Sequence, residues 1–162
     1  MKRFVIPICI SVIACGSSPT TNEGEEPADV FVGKFSGMAS RVLSCPDPGP
    51  SAAGNISITF TKTTASELSA TAVIPADSVG GTTNCGPLTF AVIGSTATVK
   101  GMGSCVATQS SLLLVHHTIT SGTVTLAQGT ATVAIETAVI TDVSGGSSIN
   151  CTAEATGIVA MQ

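Results

Sequence analysis

From residue 56 to residue 161 apolar side chains recur at every second position, in run after run, and nowhere with the three-to-four-residue spacing of a helix. Ile56, Ile58 and Phe60 alternate with Ser57, Thr59 and Thr61, and Leu68, Ala70, Ala72 and Ile74 repeat the pattern up to Pro75. Leu88, Phe90 and Val92 do so again, as do Ala97 and Val99, then Ala131, Val133, Ile135 and Val139. Successive residues of a strand face opposite ways, so this period buries one face and leaves the other in solvent. A first run over residues 30–44, a long run over residues 112–126 and a closing run from Ile149 to Met161 bring the expected strands to eight. The long run changes parity near Ser121-Gly122, which predicts a bulge there.

The links between runs are turn chemistry. They comprise Pro46-Asp47-Pro48-Gly49-Pro50, a loop over residues 76–84, Gly94-Ser95, Gln128-Gly129 and Ser144-Gly145-Gly146-Ser147. Short links favour antiparallel neighbours, and eight such strands in succession can close as an up-and-down barrel. A two-sheet β-sandwich is the alternative. The composition agrees: Thr, Ser, Gly, Ala and Val dominate and only 10% of residues are charged, which suits strands and tight turns.

The first residues follow another pattern. Lys2 and Arg3 precede an apolar run of eleven positions, Phe4 to Ala14, broken only by Pro7 and Ser11 and closed by Ala14-Cys15-Gly16. Positive start, apolar stretch and small closing residues form the order of a secretory signal. The run is far short of the about 20 residues that span a bilayer. Its last four residues, Val12-Ile13-Ala14-Cys15, resemble the lipobox of bacterial lipoproteins. That resemblance implies cleavage before Cys15, acylation of Cys15 with palmitate-type chains and, because Gly16 rather than Asp follows, delivery to the outer membrane. Two acyl chains on one residue suffice for stable attachment. The expected organisation is a signal peptide over 1–14, a lipidated cysteine and disordered acidic tether over 15–29, and an all-β domain over 30–162. The tether is rich in Ser, Pro, Gly and Glu. Its typical reach is about 20 Å for a flexible chain of that length.

Cleavage removes two of the six basic residues and leaves four against ten acidic ones. Glu23, Glu25, Glu26 and Asp29 belong to the tether, so the domain is close to neutral. With no basic patch, neither nucleic acid nor an anionic lipid surface is an expected partner.

Six cysteines occur, at 9, 15, 45, 85, 105 and 151. Cys9 leaves with the leader and Cys15 takes the lipid. The remaining four are an even set in an exported domain, which predicts two disulfides. Strand register selects the partners. A two-residue turn at Gly94-Ser95 sets Val92 against Ala97 and Phe90 against Val99, which brings Cys85 opposite Ser104. A one-residue slip at Gly101-Met102-Gly103 completes a Cys85–Cys105 clasp. Cys45 ends the first strand and Cys151 begins the last. If those strands are antiparallel neighbours with Phe35 against Met161, the two cysteines meet and Cys45–Cys151 locks the first strand to the last.

Residues for chemistry are few. His116 and His117 are adjacent in a strand and point to opposite faces, so they cannot share a metal. Glu136 and Glu154 fall on the polar parity of their strands. A Ser-His-Asp arrangement would need one of these histidines with an acid such as Asp142 or Glu154, and no nucleophile elbow supports it. No metal, cofactor or catalytic role is expected. Arg41 is the exception to the pattern, because it falls on the apolar parity set by Phe31, Phe35 and Leu43. In the register above it opposes Ala155, beside Ala153 and Gly157. Facing in, it can hold a carboxylate; a bulge near Gly37 would turn it outward. Gly33-Lys34-Phe35 resembles the Gly-x-Trp opening of lipocalin-like barrels over three residues, with Phe in place of Trp. The expectation is an envelope lipoprotein whose barrel binds a small apolar or amphipathic ligand at Arg41. The alternative is a structural or interaction protein with a filled core, whose partner is an envelope protein or a glycan.

Overall fold

A computed structural model describes residues 26–45, 48–75, 82–106, 108–109, 113–144 and 146–162. The signal peptide, Cys15, nearly all of the tether, Pro46-Asp47 and the loop at 76–81 lie outside the described residues. A 3₁₀ turn at Asp29–Phe31 is followed by β1 (Gly33–Ser44), β2 (Pro48–Thr64), β3 (Glu67–Pro75), β4 (Thr82–Ile93) and β5 (Thr96–Val99). Then come β6 (Gly103–Ser104), β7 (Thr108–Gln109), β8 (Leu113–Ala127), β9 (Thr130–Val143) and β10 (Ser147–Met161).

The ladder runs β5-β4-β3-β2-β1-β10-β9-β8, and β8 pairs back onto β5. Eight antiparallel strands thus close into a barrel-like ring in up-and-down order, with no break that would divide it into two sheets. The first-to-last junction has the expected register: Phe35 pairs with Met161, Arg41 with Ala155 and Leu43 with Ala153. Hairpin chemistry sets the other registers. Gly94 has φ 57°, and across its turn Val92 pairs with Ala97 and Phe90 with Val99. Gln128 and Gly129, at φ 48° and 82°, both adopt the left-handed conformation that a two-residue hairpin of matching twist requires.

Several boundaries differ from the sequence expectation. β2 starts at Pro48, inside the expected Pro/Gly loop, with a register shift where Val42 pairs with Ser51 and Ser44 with Pro48. β4 starts at Thr82, inside the expected loop over 76–84. The domain opens with the 3₁₀ turn rather than with a strand at Val30. In β8 the bulged residue is Thr120, one position before Ser121-Gly122: Ile119 pairs with Thr137 and Ser121 with Glu136. The extra residue flips the parity, so His117 and Ile119 face in before it and Gly122 and Val124 after it. The wall between β4 and β8 is also not one strand. β5, β6 and β7 follow one another along β8, with Thr98 on Thr123, Ser104 on Thr118 and Thr108 on Val115. The first slip falls at Gly101-Met102-Gly103 as expected: Gly101 has φ 79°, and a Cβ on Gly103 would run into the Leu88 side chain.

The ring has two unlike ends. At one lie the tight hairpin turns joining β2 to β3, β4 to β5 and β8 to β9; at the other lie both disulfides. The hairpin end is filled by aromatics, with Phe60 packed edge-to-face on Phe31, Phe35 and Phe90 at centroid distances of 5.9, 6.0 and 5.1 Å. Each such pair adds about 0.5–1.5 kcal/mol to simple burial. The 3₁₀ turn plugs this end: Ala28 and Phe31 are buried, and Lys62 on β2 holds the turn through Glu26 and through Asp29 at 2.7 Å. That hydrogen bond keeps the Asp29 carboxyl below the usual carboxylate range and Lys62 above the usual ammonium range. A smaller cluster (Val115, Val139 and Ala153, with Leu43 and Cys151 against it) sits at the disulfide end.

Candidate functional site

Between the two apolar clusters the interior turns polar. Register and side-chain parity put Arg41 inside β1, with Ala52 of β2 on one side and Ala155 of β10 on the other. No register shift separates β1 from β10, so nothing turns the guanidinium outward, and Arg41 is only 2% exposed. Its small flanking residues leave the long side chain room to cross the interior. Arg41 Nη2 reaches Nδ1 of His117 on β8 at 3.4 Å. A guanidinium can only donate, so Nδ1 is the acceptor in this contact. His117 is 3% exposed, and its carbonyl accepts the backbone N–H of Cys105 at 3.0 Å. The His117 backbone is thereby tied to the wall strand that the Cys85–Cys105 disulfide holds in place.

Two further hydroxyls are buried in the wall. Thr137 Oγ1 on β9 donates to the Ala153 carbonyl at 3.2 Å, while Thr83 Oγ1 on β4 is buried with no hydrogen-bond partner among the described residues. Burial of an unsatisfied hydroxyl costs about 1–3 kcal/mol by mutational measures.

Both expected disulfides are present, Cys45–Cys151 and Cys85–Cys105. Disulfides form and persist chiefly in oxidising, extracytoplasmic compartments. Cys85 and Cys105 face each other as an isolated bridge, the position the Gly94 hairpin and the Gly101 slip predict.

The remaining sequence candidates lie on the outer surface. His116 points outward, 3.6 Å from the Asp142 carboxylate, and Ser148 Oγ donates to Asp142 at 2.7 Å. That serine bonds to the acid rather than to the imidazole, so the three do not form a nucleophile–base relay. Glu136 and Glu154 are direct cross-strand partners on the outer face, where Ser121 Oγ donates to Glu136 at 3.1 Å. They line an open outer groove of about 460 Å³ with Thr98, Thr120, Thr123 and Thr152. No group of three or more metal-ligating side chains occurs among the described residues.

The pairing of Arg41 with His117 escaped the sequence reading, although one signal for its inner half existed. Val115 and Ile119 flank His117 on the apolar parity and mark it, not His116, as the inward histidine. That it meets Arg41, three strands away around the ring, follows only from closure.

No protein-family model matches the chain and no curated protein matches it. Among solved structures it is similar to Rv2717c from M. tuberculosis, at 9% identity and a TM-score of 0.33, over 82% of this chain and 92% of that one. A likeness that distant assigns nothing to this protein.

Proposed function

We propose that this protein is an exported lipoprotein, attached to the outer membrane through acyl chains on Cys15, whose ring binds a small amphipathic ligand by its anionic group. The observation that carries the ligand reading is the buried Arg41–His117 pair, set between alanines at the disulfide end. A guanidinium is a planar fork matched in shape to a carboxylate, and the His117 imidazole lies beside it. The aromatic cluster occupies the hairpin end, so the ligand is short: its head lies at Arg41 and its apolar part against Val115, Val139 and Leu43. The paired cysteines of the domain support export, and the leader supports the anchor. The reading gives the protein no catalytic role.

The competing reading is an envelope interaction protein with a filled core and a protein or glycan partner. It draws on the four interlocked phenylalanines, which leave half the interior closed to any ligand. Decanoate, a ten-carbon carboxylate, discriminates between the two. Ligand that binds only the folded state raises the melting temperature by mass action, with about 2.7 kcal/mol of stabilisation at a hundred times Kd. A rise in the native protein that is absent in Arg41→Met supports binding at this site. No rise with decanoate or with shorter carboxylates, or an equal rise in the variant, overturns it.

A further inference from the structure

The tether enters the fold at a defined place. Glu26 and the 3₁₀ turn lie at the hairpin end, where Ala28 N–H bonds to the Ala65 carbonyl in the β2–β3 turn and Lys62 grips Glu26 and Asp29. Eleven Cα steps separate Cys15 from Glu26. Fully extended, at about 3.6 Å per residue, they span at most about 40 Å. Strands of this length at a rise of about 3.3 Å and a tilt of about 40° make the ring about 30–35 Å tall. To turn the disulfide end toward the anchoring membrane, the tether would have to run nearly taut along the whole wall. With the hairpin end inward, it has slack.

The same end is apolar at its rim. Ile93, the last residue of β4, is 83% exposed, and Val30, Val32 and the final strand residue Met161 are 39–48% exposed. Lys62 pairs with both acids at the tether entry, Glu26 and Asp29, and leaves one net negative charge among the three. Apolar tips suit the headgroup–acyl boundary of a bilayer, where binding grows with buried apolar area. We infer that the hairpin end docks on the lipid surface, with Ile93, Val30, Val32 and Met161 in the interfacial layer of the bilayer that holds the Cys15 chains. The Arg41–His117 end then faces away from that membrane. The inference rests on the lipid anchor proposed above.

The chain contains no tryptophan and no tyrosine, so one introduced tryptophan reports its own surroundings. Ile93→Trp and Met102→Trp replace side chains that are 83% and 80% exposed, the first at the hairpin end and the second on the wall, in the link between β5 and β6. The lipidated full-length variants are reconstituted on phosphatidylcholine vesicles, plain or with brominated acyl chains, and recovered by flotation. Docking predicts that Ile93→Trp shifts to the blue by about 10 nm and loses about half its emission in brominated vesicles, as tryptophan does at a membrane interface. Met102→Trp should do neither. Flotation with both tryptophans unquenched, or with Met102→Trp quenched as strongly, overturns the docking and leaves the anchor standing. Failure to float, with an intact mass lacking acyl chains on Cys15, overturns the anchor and the docking with it.

Discussion

Removing the two disulfides separately should destabilise the protein unequally and in different ways. Cys45–Cys151 closes a separation of 106 residues and Cys85–Cys105 one of 20. In the chain-entropy model these loops correspond to about 4.8 and about 3.3 kcal/mol of restrained unfolded-state entropy. The native contexts differ as well. β1 and β10 stay paired over ten register positions without their disulfide, so its loss acts almost wholly on the unfolded chain. The Cys85–Cys105 bond instead pins a wall whose β4–β5 ladder holds only four pairs, beside the N–H of Cys105 that bonds to His117. The double variants Cys45→Ala/Cys151→Ala and Cys85→Ala/Cys105→Ala should be unfolded in urea with linear extrapolation. Native-state hydrogen exchange should be followed alongside. The first should lose about 5 kcal/mol with native exchange rates unchanged near residues 99–106. The second should lose about 3 kcal/mol and exchange faster there and at His117. If the longer loop proves the cheaper to open, or exchange at the β4–β5 wall is indifferent to its clasp, the assignment of stability to loop closure and local pinning is wrong.

Three further effects follow from particular contacts. Thr83→Val exchanges a buried hydroxyl with no partner among the described residues for a methyl of the same shape, and should raise unfolding free energy by about 1 kcal/mol in urea titration. Gly157→Val should lower it by about 3 kcal/mol, because a Cβ there would run into the Met38 carbonyl oxygen and lie 2.8 Å from the Ala39 Cα, backbone that cannot swing aside. The Lys62 clasp gives a pH signature. The depressed Asp29 value means that its stabilisation is complete above the ordinary carboxylate pKa and lost as pH falls through the lowered folded value. The melting-temperature gap between wild type and Lys62→Met should therefore be present at pH 7 and close in acid. Since these groups are exposed, that gap is small.

Local regularity made much of the fold legible. Period-two alternation marked strand faces, the Gly94-Ser95 turn fixed one register, and four cysteines on compatible parities fixed the closing one. Arg41 stood out for the same reason, as a charge on an apolar parity. What escaped depends on contacts distant in sequence. Pro48-Gly49-Pro50 reads locally as a loop, yet β1 recruits it as a strand partner. Ala28 and Phe31 follow a tether-like stretch and reveal a plug only once the Phe60 cluster exists to receive them. The shift of the bulge to Thr120 is invisible to alternation, which registers a change of parity without naming the extra residue. His117 became a candidate only when ring closure brought β8 within reach of Arg41.

Export, the anchor and the cysteine pairing meet in one count. The mature protein isolated from the cell envelope, denatured without reductant and treated with a thiol reagent, should show no reactive cysteine. Cys45, Cys85, Cys105 and Cys151 are consumed in two disulfides, and the proposed anchor would occupy the Cys15 thiol with its lipid. One reactive thiol mapping to Cys15 would contradict the account, since it would mean an exported barrel with no lipid to hold it at the membrane.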